Sequence, residues 1–254
     1  MSLKFQDKVA LVTGGGSGIG RATSLAFSNE GANIVVADIN VTGGEETVAM
    51  IRDSGGEAVF FEADVSQEKD AEAMVGKAVS SYGRLDCAFN NAAHNSAIVP
   101  TAERTVEMFM RTISVDLIGV WLGMKYQILQ FLKQGGGVIV NTASAAALGF
   151  PSPGASDYVA AKYGVVGLNR TAQLEYAKDG IRINVVCPGV IPTVMMKEYM
   201  ASKPEVEKWL MDRTPAKRFG TPEDIAEAVI WLCSDSASFV YGSVQAVDGG
   251  MLLS

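Results

Sequence analysis

The apolar run Val9-Ala10-Leu11-Val12 leads into T-G-G-G-S-G-I-G, Thr13 to Gly20, and helical sequence follows from Ile19 through Arg21-Ala22-Thr23 to Asn29. Five glycines in eight residues are either a loose loop or a turn built for close backbone approach. A strand before the turn and a helix after it favour the second reading, because a helix N-terminus presents unpaired N–H groups to an anion. The frame is G-x-x-x-G-x-G, carried by Gly14, Gly18 and Gly20, and the usual fingerprint G-x-G-x-x-G fits nowhere. On this reading Gly14 lets the strand turn sharply, Gly18 lets the helix approach a pyrophosphate, and Gly20 lets the helix pack closely on a sheet.

The same alternation runs along the chain. Residues 9–12, 33–37, 58–61, 85–89, 138–141, 182–186 and 244–247 read as buried strands, with stretches of helical period between the first six. A last helix is expected near 222–234, with Thr221 as N-cap and Pro222 at its first position. This pattern predicts an α/β Rossmann fold: a seven-stranded parallel doubly wound sheet with helices on both faces. No linker or repeat divides residues 1–254, so one domain is expected, with an irregular insertion at 191–214 above the crevice where ligands bind.

Composition excludes several alternatives. The formal charge is -7, so the chain repels a phosphate backbone and no nucleic-acid partner is expected. No apolar run reaches the length of a membrane span, and no secretory leader is expected at the N-terminus. Cys87, Cys187 and Cys233 are widely spaced and read as core residues in a reducing, cytoplasmic setting. With His94 as the one histidine, neither a metal site nor a Ser-His-Asp triad is expected.

The second strand sharpens the glycine reading. It ends at Asp38, where a carboxylate can accept hydrogen bonds from the adenosine ribose hydroxyls and repels a 2′-phosphate. Positions 15, 16, 17 and 39 are Gly, Gly, Ser and Ile, with no base among them. NAD is therefore the expected cofactor.

Tyr158-Val-Ala-Ala-Lys162 puts a phenol and an ammonium on one helix face. A free tyrosine, with a pKa of about 10, is a poor base at neutral pH, and a neighbouring cation favours the phenolate. Such a pair can move a proton to or from an alcohol oxygen. The motif alone is not specific: a second copy, Tyr199 to Lys203, lies in the Pro-rich insertion and reads as a decoy. Ser144 discriminates, because it follows the strand ending at Thr142 and can hold a substrate oxygen beside Tyr158.

Over nearly its whole length the chain resembles the short-chain dehydrogenases/reductases. The resemblance is carried by residues 13–20, Asp64-Val65, Asn90-Asn91-Ala92-Ala93, Ser144, Tyr158 with Lys162, Pro188-Gly189 with Thr193, and Asp248-Gly249-Gly250. It implies a cofactor site of Gly14, Ser17, Gly18, Ile19, Gly20, Asp38 and Ile39. Asp64 and Val65 would flank the adenine, and Asn90 to Ala93 would line the adenosine side of the cleft. Lys162 would hold the nicotinamide ribose beside Tyr158, while Ile191 and Thr193 would hold the carboxamide and so fix which face of the ring takes hydride, with Pro188 and Gly189 in the same cofactor site. The family is usually a tetramer and uses no catalytic metal.

Two departures stand out. Position 93 is Ala where the family has Gly, and Asp116 stands where it has the Asn of a catalytic tetrad. Asp is acceptor-only when ionised. Near Lys162 it would hold the ammonium's charge and offset part of its effect on the phenol, so a shifted pH optimum is expected. One extra residue between Ser144 and Tyr158 should be absorbed in the loop 145–154.

The reading is an NAD-dependent oxidoreductase interconverting a secondary alcohol and a ketone, with Tyr158 as general acid/base. The alternative is a catalytically weak NAD-binding sensor or structural subunit, supported by Asp116 and Ala93. A sugar-nucleotide epimerase would need a differently spaced glycine motif and a larger C-terminal part. The expected substrate wall includes Ser144, Met195, Met196, Val99, Pro153 and Tyr199, and it leans towards an apolar or cyclic alcohol. His94 either faces the pocket or is a hydrogen-bonded structural residue, the second being preferred. The helices around 105–132 and 156–177 carry Gly119, Gly123, Ala161, Gly164 and Leu168 on more than one face, which suggests a partner subunit and a homotetramer.

Overall fold

A computed structural model describes residues 3–150, 152–192, 200–201 and 204–254. Seven parallel strands form one sheet: β1 (Val9–Thr13), β2 (Asn33–Asp38), β3 (Ala58–Glu62), β4 (Cys87–Asn90), β5 (Gly137–Thr142), β6 (Ile181–Pro188) and β7 (Val244–Val247). Their order is β3-β2-β1-β4-β5-β6-β7. The chain winds outward from β1 to β3, then returns to pair β4 against β1 and winds the other way. That reversal opens a crevice at the carboxyl ends of β1 and β4.

The strands alternate cleanly, as the period of two requires. Val35 and Ala37 of β2 join one core with Met74, Ile128, Phe131 and Val165, while Ile34 and Val36 join the other with Phe27, Ile51 and Val229. The first core lies under α3 (Glu68–Tyr82), α5 (Gly119–Gln134) and α6 (Ser156–Tyr176). The second lies under α1 (Gly18–Asn29), α2 (Val41–Asp53) and α8 (Pro222–Cys233). Shorter helices among the described residues include α4 (Val106–Ile113) and α7 (Pro204–Asp212). Among the described residues no helix is long and apolar enough to cross a membrane. The three cysteines are buried and free.

The start of α8 follows the sequence signal. Thr221 accepts from the Asp224 amide and Asp224 accepts from the Thr221 amide, with Pro222 in the first turn. Arg218 forks onto the same carboxylate and helps to hold it down to about 2.

The expected helix around 105–132 runs from Val106 to Gln134 with a π-helical turn inside it. This turn, Ser114–Ile118, joins α4 to α5 and contains Asp116. Such turns insert one residue and re-aim the side chains beside them. Three of the small residues of these helices pack against neighbours within the chain. A Cβ at Gly119 would meet Val65, one at Gly123 would meet Asn90, and one at Gly164 would meet Leu117.

The glycine turn is tighter than the sequence suggested. Gly14 has a positive φ of 65°, and a Cβ there would lie 2.9 Å from the Ala92 Cα. A Cβ on Gly20 would collide with the Gly14 carbonyl before it reached the sheet. Gly20 is thus needed by the turn itself, not chiefly by helix–sheet packing. Replacing it (Gly20→Ala) is expected to cost about 1–3 kcal/mol through overpacking. An unchanged urea unfolding midpoint would contradict this account of the turn.

Candidate active site

The first turn of α1 opens on the crevice. Ser17 is its N-cap, is exposed, and makes no side-chain cap hydrogen bond. Its carbonyl takes the Arg21 amide, so the first-turn amides before it have no partner of their own in the helix. Around the ideal Cβ position of Gly18 there is nothing within 4 Å. A free hydroxyl, free amides and open space fit a pyrophosphate.

Asp38 ends β2 beside this turn. Its Oδ2 accepts the Gly16 amide at 2.8 Å and its Oδ1 accepts the Asn40 amide at 2.8 Å. The neighbouring Ile39 side chain is exposed, as an adenine-facing residue would be. The extra glycines have a steric cause: a Cβ at Gly15 would meet Val36 at 2.8 Å, and one at Gly16 would meet the Asp38 carboxylate at 2.9 Å. A base at position 15 would have no room. One cation escaped the sequence reading. Arg21 reaches back to the Gly16 and Gly43 carbonyls at 2.6 and 3.1 Å and pairs with Glu46. It falls one residue outside the glycine motif, so only the helical turn reveals it.

The end of β4 is stitched to β1. The Asn91 and Ala92 amides both donate to Thr13 Oγ1, and the Asn91 side chain donates to the Thr13 carbonyl. The Asn90 side chain points into the core instead, bonded to Gln127 and Asn141. Asn90 can therefore face the cleft only through its backbone. Ala93 is exposed and is not among the residues with positive φ, so the Cβ at this position is unstrained. Asp64 accepts from Ser66, and Val65 is packed against Gly119.

Ser144, Tyr158 and Lys162, the candidate proton-handling residues, converge at the end of β5 and the start of α6. Ser144 is half-buried, two residues beyond Thr142, and its hydroxyl accepts the Ala146 amide at 3.2 Å. Tyr158 is half-buried in the first turn of α6, and the Lys162 ammonium lies 5.5 Å from its ring centroid. Lys162 is 1% exposed and donates to the Thr142 carbonyl at 3.1 Å. This bond ties the lysine to the strand end that carries Ser144.

Asp116 faces Lys162 from the π-helical turn, at 3.5 Å, with both side chains buried. Its Oδ1 accepts the His94 amide at 2.6 Å, so His94 contributes here through its backbone. Burial pushes the Asp116 carboxyl up from its usual range, against the pull of Lys162 and the His94 amide. Thr142 Oγ1 and Asp116 Oδ2 are buried without a hydrogen-bond partner. These orphaned atoms, with the spare Lys162 donors, fit a ribose hydroxyl or a linking water.

A second buried ion pair adjoins Tyr158 and gave no sequence signal. Arg104 meets Asp157 at 2.6 Å, with side chains 2% and 0% exposed. An acid in a helix's first turn ordinarily reads as an exposed dipole partner, so Asp157 passes unnoticed in the sequence.

On the far side, Gly189 donates to the Val247 carbonyl, and a Cβ there would meet Asp248 at 2.8 Å. Ile191 packs into the second core near Gly220. A cavity of about 150 Å³ lies beside Gly189, Val190 and Ile191. The insertion supplies α7, whose Trp209 meets Phe150 at 5.7 Å and so leans on the loop after Ser144. Thr193, Met195, Met196, Tyr199 and Lys203 lie outside the described residues.

The chain is similar to known proteins over nearly its whole length. A family profile described as enoyl-(acyl carrier protein) reductase matches residues 14–252. A 2,5-dichloro-2,5-cyclohexadiene-1,4-diol dehydrogenase of Sphingobium indicum is 47% identical over 97% of each chain. A cyclohexanol dehydrogenase of an Acinetobacter strain is 44% identical, over 98% of this chain and 96% of its own. The crystal structure of a levodione reductase superposes with a TM-score of 0.93 at 38% identity, covering 98% of this chain and 99% of that one.

The Asp116–Lys162 contact makes a pH prediction. Removing the carboxylate charge leaves the ammonium unopposed beside the phenol. In Asp116→Asn the rising limb of alcohol oxidation should therefore move to lower pH, by on the order of one unit. Superimposable pH–rate curves for the two proteins would exclude this role of the charge.

Proposed function

The chain belongs to the short-chain dehydrogenase/reductase family and is an oxidoreductase of CH–OH groups, and we propose that it is NAD-dependent and interconverts a cyclic secondary alcohol with its ketone. The observation that carries the reading is the grouping of Ser144, Tyr158 and buried Lys162 at one end of the crevice, with a phosphate-ready glycine turn at the other.

Members of the family bind nicotinamide cofactors. Ser17 to Gly20 would hold the pyrophosphate, Asp38 the adenosine ribose, Lys162 the second ribose, and the Gly189–Ile191 segment the ring. When bound, such a cofactor accepts or returns a hydride. The chain's own residues handle the proton. Ser144 donates to the substrate oxygen and fixes it. Tyr158 takes the hydroxyl proton during oxidation and returns it during reduction. Lys162 favours the phenolate and is itself oriented by the Thr142 carbonyl and Asp116. Asp38 supports NAD over NADP, because a 2′-phosphate would meet its carboxylate. The names of two similar proteins, acting on a cyclohexadienediol and on cyclohexanol, support a six-membered carbocyclic substrate. Asp116 alone favours a catalytically weak NAD-binding sensor, and the intact Ser144, Tyr158 and Lys162 set oppose it.

Two separate apolar faces support an oligomer. Trp121, Leu132, Tyr163 and Leu174 are exposed on α5 and α6, while Trp231, Phe239 and Tyr241 are exposed around α8 and the edge strand β7. If each face pairs with its own copy, the two together would generate a tetramer with crossed two-fold axes. A homotetramer is therefore expected, and sedimentation equilibrium giving a monomer mass would refute it.

The catalytic reading is tested by oxidation of cyclohexanol, cyclohexanediols and open-chain alcohols with NAD and with NADP. The expected result is turnover of ring alcohols, with kcat/KM for NAD about tenfold or more above NADP, and loss of about 10²-fold or more in Tyr158→Phe. Equal activity of wild type and Tyr158→Phe on every alcohol would sink it.

A further inference from the structure

The Arg104–Asp157 pair is more elaborate than a structural ion pair needs to be. Asp157 Oδ2 accepts from Arg104 Nη1 at 2.6 Å, Thr112 Oγ1 at 2.7 Å and Ser96 Oγ at 2.8 Å. Its Oδ1 accepts the backbone amide of Tyr158 at 2.8 Å. The other Arg104 terminal nitrogen donates to the Ala97 carbonyl at 2.7 Å and the Gly154 carbonyl at 2.6 Å. Burial opposes the Asp157 charge, but the hydroxyl and amide donors and the guanidinium outweigh it and hold the carboxyl below its usual range. Both charges are thus kept, deep in the protein, at a place where packed apolar side chains would ordinarily serve stability as well.

What the pair joins is informative. Ser96 and Ala97 belong to the segment that leaves the carboxyl end of β4. Gly154 belongs to the segment that leaves β5 and enters α6. The two segments are also zipped directly: the Val99 amide donates to the Gly154 carbonyl at 2.9 Å. Gly154 has a positive φ of 80°, and a Cβ there would lie 2.6 Å from Ile98 Cγ2. β4 and β5 are adjacent strands at the crevice, so the spacing of these segments sets the width of the space beside Tyr158. Ile98 is exposed and offers an apolar side chain on the β4 segment. Neither Arg104 nor Asp157 is placed to exchange a proton with a substrate: the pair's contact with Tyr158 is to its amide.

We propose that Arg104 and Asp157 are positioning residues that set alcohol specificity, clamping the Ile98–Val99 wall to the start of α6 so that wall and Tyr158 are held at one spacing. The proposal rests on the reading of Tyr158 as the acid/base. Arginine is required for its fork: one guanidinium serves two carbonyls, a hydroxyl and a carboxylate, which a single ammonium cannot span.

The test is Arg104→Lys, which keeps a charge opposite Asp157 and removes the fork. Steady-state kinetics with the best ring alcohol of the panel should show KM for the alcohol rising about tenfold or more, since displacements near 1 Å are felt strongly at such sites. KM for NAD should stay within about twofold, because the cofactor turn is not clamped by this pair, and the preference for ring over open-chain alcohols should fall. A general structural role would not separate the two substrates in this way. An unchanged alcohol KM, or alcohol and NAD values rising together, would overturn the proposal. Tyr158→Phe is assayed alongside: its inactivity with an unaltered Arg104→Lys rejects the clamp alone, whereas its full activity rejects the acid/base reading and the clamp with it. Should Arg104→Lys not fold, Ser96→Ala removes one hydroxyl from the knot, keeps both charges, and should move alcohol KM in the same direction by about twofold to threefold; no movement would overturn the proposal.

Discussion

The cofactor edge of this molecule depends on one close approach of backbone to backbone. The Gly14 carbonyl occupies the place where a side chain at position 20 would begin, and the Ala92 backbone lies against Gly14 from the other side. Three segments, the ends of β1 and β4 and the start of α1, meet there with no room for a Cβ on either glycine. Thr13 then fastens the junction, receiving two amides from Asn91 and Ala92. Because the junction is rigid, the first-turn amides of α1 and the Asp38 carboxylate are presented in fixed relation. A mononucleotide half-site needs that relation before any ligand arrives.

The other half of the crevice is organised by charge. Tyr158 has a buried carboxylate, Asp157, immediately before it and a buried ammonium, Lys162, one turn on. Each is compensated by a partner from the α4–α5 side: Arg104 for Asp157, and Asp116 for Lys162. Partnered buried charges are strongly directional, and losing one partner leaves the other uncompensated at a cost of several kcal/mol. Helix α6 is consequently pinned at its N-terminal end by bonds that tolerate little displacement. The π-helical turn at Ser114–Ile118 belongs to the same device, since it carries Asp116 to Lys162 and to the His94 amide.

Much of this was legible beforehand. Alternating apolar strands and helical stretches are dictated by burial on both faces of a parallel sheet, and each of the seven expected strands appears within a few residues of its place. The Thr221 cap and Pro222 likewise follow local rules that need no tertiary partner. The π-helical turn at Asp116 was not legible, because such turns have no periodic signature. Which neighbour each of Gly119, Gly123 and Gly164 packs against was not legible either, because Val65, Asn90 and Leu117 come from other segments of the chain. Arg104 and Asp157 escaped because they are 53 residues apart and each looks like an ordinary surface charge.

The sequence by itself determined the parallel sheet, the phosphate-ready turn, Asp38 at a strand tip, and the Tyr158–Lys162 spacing. All of these are local patterns, fixed by period, turn chemistry or neighbouring positions on one helix. Only the tertiary structure decided which charges pair in the interior and why the turn must be glycine at Gly15, Gly16 and Gly20. Those depend on groups brought together from distant segments, where the exclusion of water turns an unremarkable acid or arginine into a fixed strut.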